Sequence, residues 1–128
     1  MPAWTLPVFE IKVPKNPGAL TDLVPLLNRL EAAFGTRRIA ELLGVKAGTI
    51  YNWKKRRYEI SSEYANRVID LHQVLVRAFR VYQAQVAMDW LVSNEPFLNG
   101  ARPIDVLVSR GAAPLIDALT AIEASAYA

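Results

Sequence analysis

Between Arg37 and Arg57 the chain reads RRIAELLGVKAGTIYNWKKRR, two short apolar stripes divided by one glycine and closed by four consecutive cations. Ile39, Leu42 and Leu43 recur at helical intervals and predict a first amphipathic helix. Ala40 is small enough to let a second helix cross closely. Gly44 sits where the chain must turn, because glycine enters the left-handed region without a Cβ penalty. Val45 plugs the turn. Ile50 and Trp53 then share one face of a second helix, and at 100° per residue that face also takes in Lys46 and Arg57. The opposite face presents Gly48, Asn52 and Lys55, with Tyr51 beside them and Thr49 on the other flank.

Two helices joined by so short a turn, the second polar outward, describe a helix-turn-helix. Charge agrees. Residues 36–67 carry eight Lys/Arg against three acids, a local +5, whereas residues 81–128 carry two against five, a local −3. A basic part suited to nucleic acid is thus joined to an acidic part suited to another partner. On this reading Arg37, Arg38, Lys54, Lys55, Arg56 and Arg57 hold phosphates without reading sequence. Asn52 is expected to pair with adenine, Lys55 to reach guanine acceptors and Thr49 to touch a thymine methyl, with Tyr51 suited to either kind of contact. A homodimer on double-stranded, palindromic operator DNA would place its half-sites about one helical turn apart.

The rest of the chain predicts an all-α protein with no strands and no internal repeats. Residues 1–18 hold Pro2, Pro7, Pro14 and Pro17 between Trp4, Phe9, Ile11 and Val13, which favours an extended arm over a helix. Leu20, Leu23, Leu27, Leu30 and Phe34 mark a supporting helix, capped by Thr21 or Asp22, with Pro25 in its first turn and Gly35 as its stop. After Ser61-Ser62-Glu63, apolar residues at 64, 68, 71, 75, 78 and 82 predict a long helix to Tyr82, broad enough to serve as core and dimer seam. Arg67, Asp70, Gln73, Arg77 and Arg80 are expected to point away from it. QVAMDWL reads as a helix ending near Ser93, and NEPFLNGARP as a loop. Pro103 starts a short helix stopped by Gly111, and Pro114 opens the last one. Leu91, Phe97, Leu98, Ile104, Leu107, Leu115, Leu119 and Ile122 are expected to face inward. The organisation expected is an arm at 1–18, a DNA-binding domain with a linking helix at 19–80, and a small helical domain at 81–128.

Enzymatic chemistry is poorly provided for. The only histidine, His72, lies within RVIDLHQVLV as a packing residue, and no phosphate loop, metal-spaced cluster or nucleophile elbow appears. No enzyme activity, cofactor or metal is expected. The absence of cysteine suits a reducing, cytoplasmic setting, and no signal peptide or membrane span is expected. An apolar fraction of 52% in 128 residues suggests that some surface closes against another subunit or protein.

Trp90-Leu91, Asn94 to Gly100, Arg102 to Leu107, Gly111 and Ile122-Glu123 together resemble the toxin-binding domain of the Xre/MbcA/ParS antitoxin family, which reads as Trp-Leu, Pro-x-Leu-x-Gly, Pro-x-Asp-x-Leu and a closing Ile-Glu. The resemblance covers residues 81–128, and an Xre-like helix-turn-helix covers 36–57. It implies an antitoxin of a type II toxin–antitoxin pair. The usual partner is a RES-domain toxin, similar to ADP-ribosyltransferases in fold, that depletes NAD, bound in a hetero-oligomer. The residues it assigns to toxin binding are Trp90, Pro96, Leu98, Arg102, Asp105, Glu123, Ser125, Tyr127 and Ala128, with the tail from Ala124 to Ala128 plugging the toxin's active-site cleft. It also implies autorepression of the operon. This chain departs from the family where Ser125 replaces a frequent glycine, and where Lys46 stands in place of the serine that often opens the recognition helix. The alternative is a stand-alone regulator whose C-terminal helices dimerise or sense a ligand.

Overall fold

Proline and glycine cut much of this chain into helices, and the computed structural model, which describes residues 22–126, places five of the seven breaks between elements at one of them. Seven α-helices and one 3₁₀ turn account for the regular structure among the described residues, and no strand occurs there. They are α1 (Val24–Phe34), α2 (Thr36–Leu43), α3 (Ala47–Lys54), α4 (Ser62–Ala78), α5 (Ala84–Leu91), the 3₁₀ turn Pro96–Leu98, α6 (Pro103–Arg110) and α7 (Ala113–Ala126). The all-α expectation therefore holds. The expected arm at 1–18, Leu20, the Thr21 cap, Tyr127 and Ala128 lie outside the described residues. The chain divides into two compact units, the first ending at Ile69 and the second beginning at Asp70, a division inside α4.

In the first unit, α1 packs on α2 and α3, and α2 packs on α3. Pro25 lies in the first turn of α1, where no intrahelical N–H is required. Asp22 accepts a hydrogen bond from the Val24 amide at 3.0 Å. The core is the one the periodicity indicated: Leu27, Leu30, Ile39, Leu43 and Ile50 are wholly enclosed, with Ala40 and Trp53 beside them. Each large aliphatic side chain buried this way contributes about 1.5–3 kcal/mol. The Trp53 ring also meets Tyr64 of α4, centroids 5.7 Å apart.

The turn between α2 and α3 is a Schellman motif. Gly44 takes φ 74°, its N–H donates to Glu41 O, and the Val45 N–H donates to Ala40 O at 2.9 Å. A neighbouring free carbonyl of α2, Leu43 O, accepts from Arg67 Nη1 at 3.4 Å. Arg67 also binds Glu63 at 2.8 Å and lies 4.9 Å over the Tyr64 ring. Rather than pointing to solvent, Arg67 closes a helix end, where a cation also complements the dipole.

Two helix ends differ from the sequence expectation. The cationic run does not continue α3. The helix stops at Lys54, Arg56 adopts φ 56°, and the Arg56 and Arg57 amides fold back onto Trp53 O and Asn52 O. This is a second Schellman-type stop with arginine at the left-handed position, so Arg57 is exposed instead of sharing the face of Ile50 and Trp53. The helix expected to run to Tyr82 ends at Ala78. The Arg80, Val81 and Tyr82 amides return to Arg77 O and Ala78 O, and α5 begins after Gln83.

In the second unit, α5 packs on α6, α6 on α7, and the 3₁₀ turn on α7. Pro103 starts α6 and Gly111 stops it. Leu71, His72, Val74, Leu75, Leu91, Leu107, Leu115 and Leu119 are buried, His72 as a core residue. Phe97, expected to face inward, is 53% exposed, and Ile122 and Leu98 are only half-buried. The reason is local. Glu95, not Phe97, is the anchor of this loop.

Candidate functional site

Behind α3 the apolar pair Ile50 and Trp53 fixes the helix to the first unit, which leaves the other face outward. Tyr51 is 51% exposed on that face. Lys55 Nζ and Arg57 Cζ each lie 5.6 Å from the centroid of its ring. At this range both cations are attracted to the ring quadrupole. Arg57 Nη1 also donates to Asn52 Oδ1 at 3.4 Å. Asn52 and Thr49 are half-buried, Lys55 and Arg57 exposed. Five of the residues expected to touch DNA are therefore gathered at α3 and the turn that follows it.

The remaining expected phosphate contacts separate into three kinds. Arg38 is exposed. Arg37 is exposed and 3.4 Å from Glu41, an i,i+4 pair open to solvent that contributes little on its own. Lys54 and Arg56 are engaged inside the unit. Lys54 Nζ lies 2.5 Å from Glu31, whose other carboxylate oxygen accepts from the Thr36 hydroxyl. Arg56 pairs with Asp22. The Val24 amide and the Arg56 guanidinium hold the Asp22 carboxyl below its ordinary value, against a smaller opposing effect of burial. Lys54 is thus a brace between α3 and α1, engaged by Glu31 rather than held free toward the outward face. At the other end of α3, Lys46 occupies the N-cap and makes no side-chain cap, as the sequence departure implied.

In the second unit the family-like residues fall into structural and exposed sets. Trp90 is buried, and its Nε1 donates to Glu95 Oε1 at 2.9 Å. Glu95 Oε2 accepts from the Phe97 amide at 2.7 Å, so one buried carboxylate caps the 3₁₀ turn and holds the tryptophan. Asn94 Nδ2 donates to Gly100 O at 2.6 Å, and the Glu95 amide donates to Ala101 O, which closes the loop. The Tyr82 ring lies 6.3 Å from Trp90. Burial, helped by the Glu95 charge, pushes its hydroxyl above its ordinary value. In the sequence Glu95 is only one link of the Asn94 to Gly100 string. Its signal was the adjacent Pro96, which starts a turn needing a capping acceptor just before it.

Arg102 and Asp105 form a bidentate pair at 2.8 and 2.9 Å at the start of α6. The Arg102 hydrogen bond keeps the Asp105 carboxyl below its ordinary value. Glu123 accepts from Arg77 at 2.6 Å and from Arg80 at 2.8 Å, and Arg77 also reaches Thr120 at 2.9 Å. Glu123 and Trp90 are therefore internal fixings rather than free contacts. Pro96 and Ser125 are exposed and Leu98 half-exposed. Phe97, Leu98, Val106 and Ala121 line an open groove of about 380 Å3, with Arg110 and Asp117 along it.

Among the described residues no group of three or more His, Asp or Glu is placed to hold a metal ion, and no helix is long and apolar enough to cross a membrane. Compared with known proteins, the chain matches no family model, no curated protein and no solved structure.

Proposed function

We propose that this chain is a sequence-specific DNA-binding antitoxin. Its α2–α3 pair binds double-stranded operator DNA as a dimer and represses its own operon in the cytoplasm. Its second unit and tail cover a RES-type, NAD-depleting toxin. The observation that carries the DNA half is the outward cluster of Tyr51 and Asn52 on α3, anchored behind by Ile50 and Trp53, with Lys55 and Arg57 on the turn that closes it. Cations set on the turn that closes a buried-faced helix can neutralise phosphates while side chains of the helix reach base edges.

The toxin half rests on the sequence resemblance and on the exposed Phe97, Pro96 and Ser125. Expressing the chain with the product of a neighbouring toxin-like reading frame tests it. Co-purification and restored growth are expected. Deleting residues 124–128 should abolish protection and leave DNA binding intact, and protection that survives the deletion would remove the plug.

A second reading is favoured by one specific finding. Trp90 and Glu123, assigned to toxin contact by resemblance, are internal fixings here, as they would be in a stand-alone regulator with a purely structural second unit. That reading gains if no adjacent product co-purifies while promoter binding persists.

A further inference from the structure

We infer that α3 and the turn that closes it read guanine, through a donor-rich cluster in which Arg57 is the specificity residue and Asn52 its positioning partner. This deepens the DNA-binding reading and rests on it. The sequence expectation of adenine at Asn52 took its amide as free to offer one donor and one acceptor. In the structure Arg57 Nη1 lies 3.4 Å from Asn52 Oδ1. Guanidinium carries donors and no acceptor, so the amide must turn its oxygen toward Arg57 and present its NH2 elsewhere.

Arg57 is held from a second side by the Tyr51 ring, 5.6 Å from Cζ, and Lys55 Nζ approaches the same ring at the same distance. Besides the Tyr51 hydroxyl, which can donate or accept, this cluster offers a base edge the Arg57 N–H groups, the Lys55 ammonium and the Asn52 NH2, all donors. Adenine presents an amino group beside its N7, and cytosine presents an amino group alone. Either would bring a donor toward a guanidinium. Thymine presents one acceptor, O4, beside a methyl group, whereas guanine presents two adjacent acceptors, N7 and O6, that match a guanidinium bidentately. The left-handed turn at Arg56 (φ 56°) makes this possible, because it lets Arg57 fold back along the helix toward Asn52.

The test selects binding sites for the full chain from a randomised duplex library. It then measures affinity for the selected duplex with each guanine replaced in turn by 7-deazaguanine, which lacks the N7 acceptor. One guanine per half-site should lose roughly ten-fold in affinity on that replacement. In Arg57→Ala, whose side chain is exposed and outside the core, the same replacement should have no effect. Asn52→Ala should retain a reduced guanine preference, since Arg57 keeps its hold on Tyr51. Enrichment of adenine at that position, unchanged in Arg57→Ala, would overturn the inference and leave DNA binding standing. Salt-sensitive binding with no enriched base would also overturn it. No binding to any duplex at low salt would instead sink the DNA-binding proposal itself.

Discussion

Gly44 and Gly48 both face open space, yet replacing each by alanine should move stability in opposite directions. A Cβ at Gly48 would meet nothing within 4 Å, and one at Gly44 would meet only Arg67 Nη1 at 4.0 Å. Steric contact is therefore excluded as the cause of any difference. What separates them is backbone. Gly44 has φ 74°, in the left-handed region, where a Cβ costs about 1–2 kcal/mol. Gly48 lies in the first turn of α3, where alanine should gain about 0.5 kcal/mol through helix propensity and a less flexible unfolded chain. The two variants should differ by about 1.5–2.5 kcal/mol, a ten-fold or larger change in the equilibrium.

Amide hydrogen exchange at Leu43 and Ile50, both buried in the first unit, reads that difference locally. Gly44→Ala should accelerate exchange at these amides, and Gly48→Ala should slow it slightly. DNA affinity should then move against stability for Gly48→Ala, because a methyl on the outward face of α3 blocks close approach to a groove. Equal exchange rates in the two variants would refute the assignment of the turn to a left-handed stop. A Gly48→Ala protein that binds DNA normally would remove that face from the interface.

Lys54→Met should destabilise the first unit by about 1–3 kcal/mol, since it leaves a half-buried Glu31 carboxylate without its cation, while the salt dependence of DNA binding stays unchanged; urea unfolding and anisotropy titrations check the two halves. Glu95→Gln places an NH2 against either the Trp90 or the Phe97 N–H, so about 1–3 kcal/mol should be lost from the second unit, visible as earlier exposure of Trp90 in a fluorescence-monitored urea titration. Arg77, hydrogen-bonded to Glu123, holds that carboxyl below its ordinary value of 4.5, with Arg80 adding to the effect. Its contribution is therefore complete above 4.5 and is lost as pH falls through the lower folded value, and Glu123→Gln should flatten that acid limb of the stability profile.

Much of the fold could be read from spacing because most of its breaks use proline, whose φ is fixed, or glycine, which enters the left-handed region without a Cβ penalty. Pro25, Pro103 and Pro114 fall in first turns, Gly35, Gly44 and Gly111 end helices, and Leu27, Leu30, Ile39 and Ile50 are buried as their periodicity requires. The end of α3 escaped because nothing in Lys-Lys-Arg-Arg disfavours helix. Arginine at φ 56° is held there by two local amide bonds, to Trp53 O and Asn52 O, and by the Asp22 carboxylate, and of these only Asp22 is a tertiary partner. Phe97 escaped for a related reason. A buried carboxylate anchors the loop from Glu95, and the neighbouring ring is turned out.

The candidate site was legible in kind and misjudged in amount, and the difference lies in ion pairs between residues far apart in sequence. Counting residues 36–67 gave eight cations, but Lys54 answers Glu31, Arg56 answers Asp22, Arg67 answers Glu63 and Arg37 lies beside Glu41. Among the described residues that leaves Arg38, Lys46, Lys55 and Arg57 without an ion pair. Four cations per protomer brought against the duplex, Arg38 and Lys46 at phosphates and Lys55 and Arg57 in the groove between them, at about −0.9 each give a dimer a slope of log K on log salt near −7. The exposed Arg37 pair could open at little cost and steepen the slope, whereas the half-buried Lys54 pair could not. A slope far shallower than −7 would mean that the cations of the outward cluster serve Tyr51 and Asn52 alone, and that phosphate binding does not position this helix.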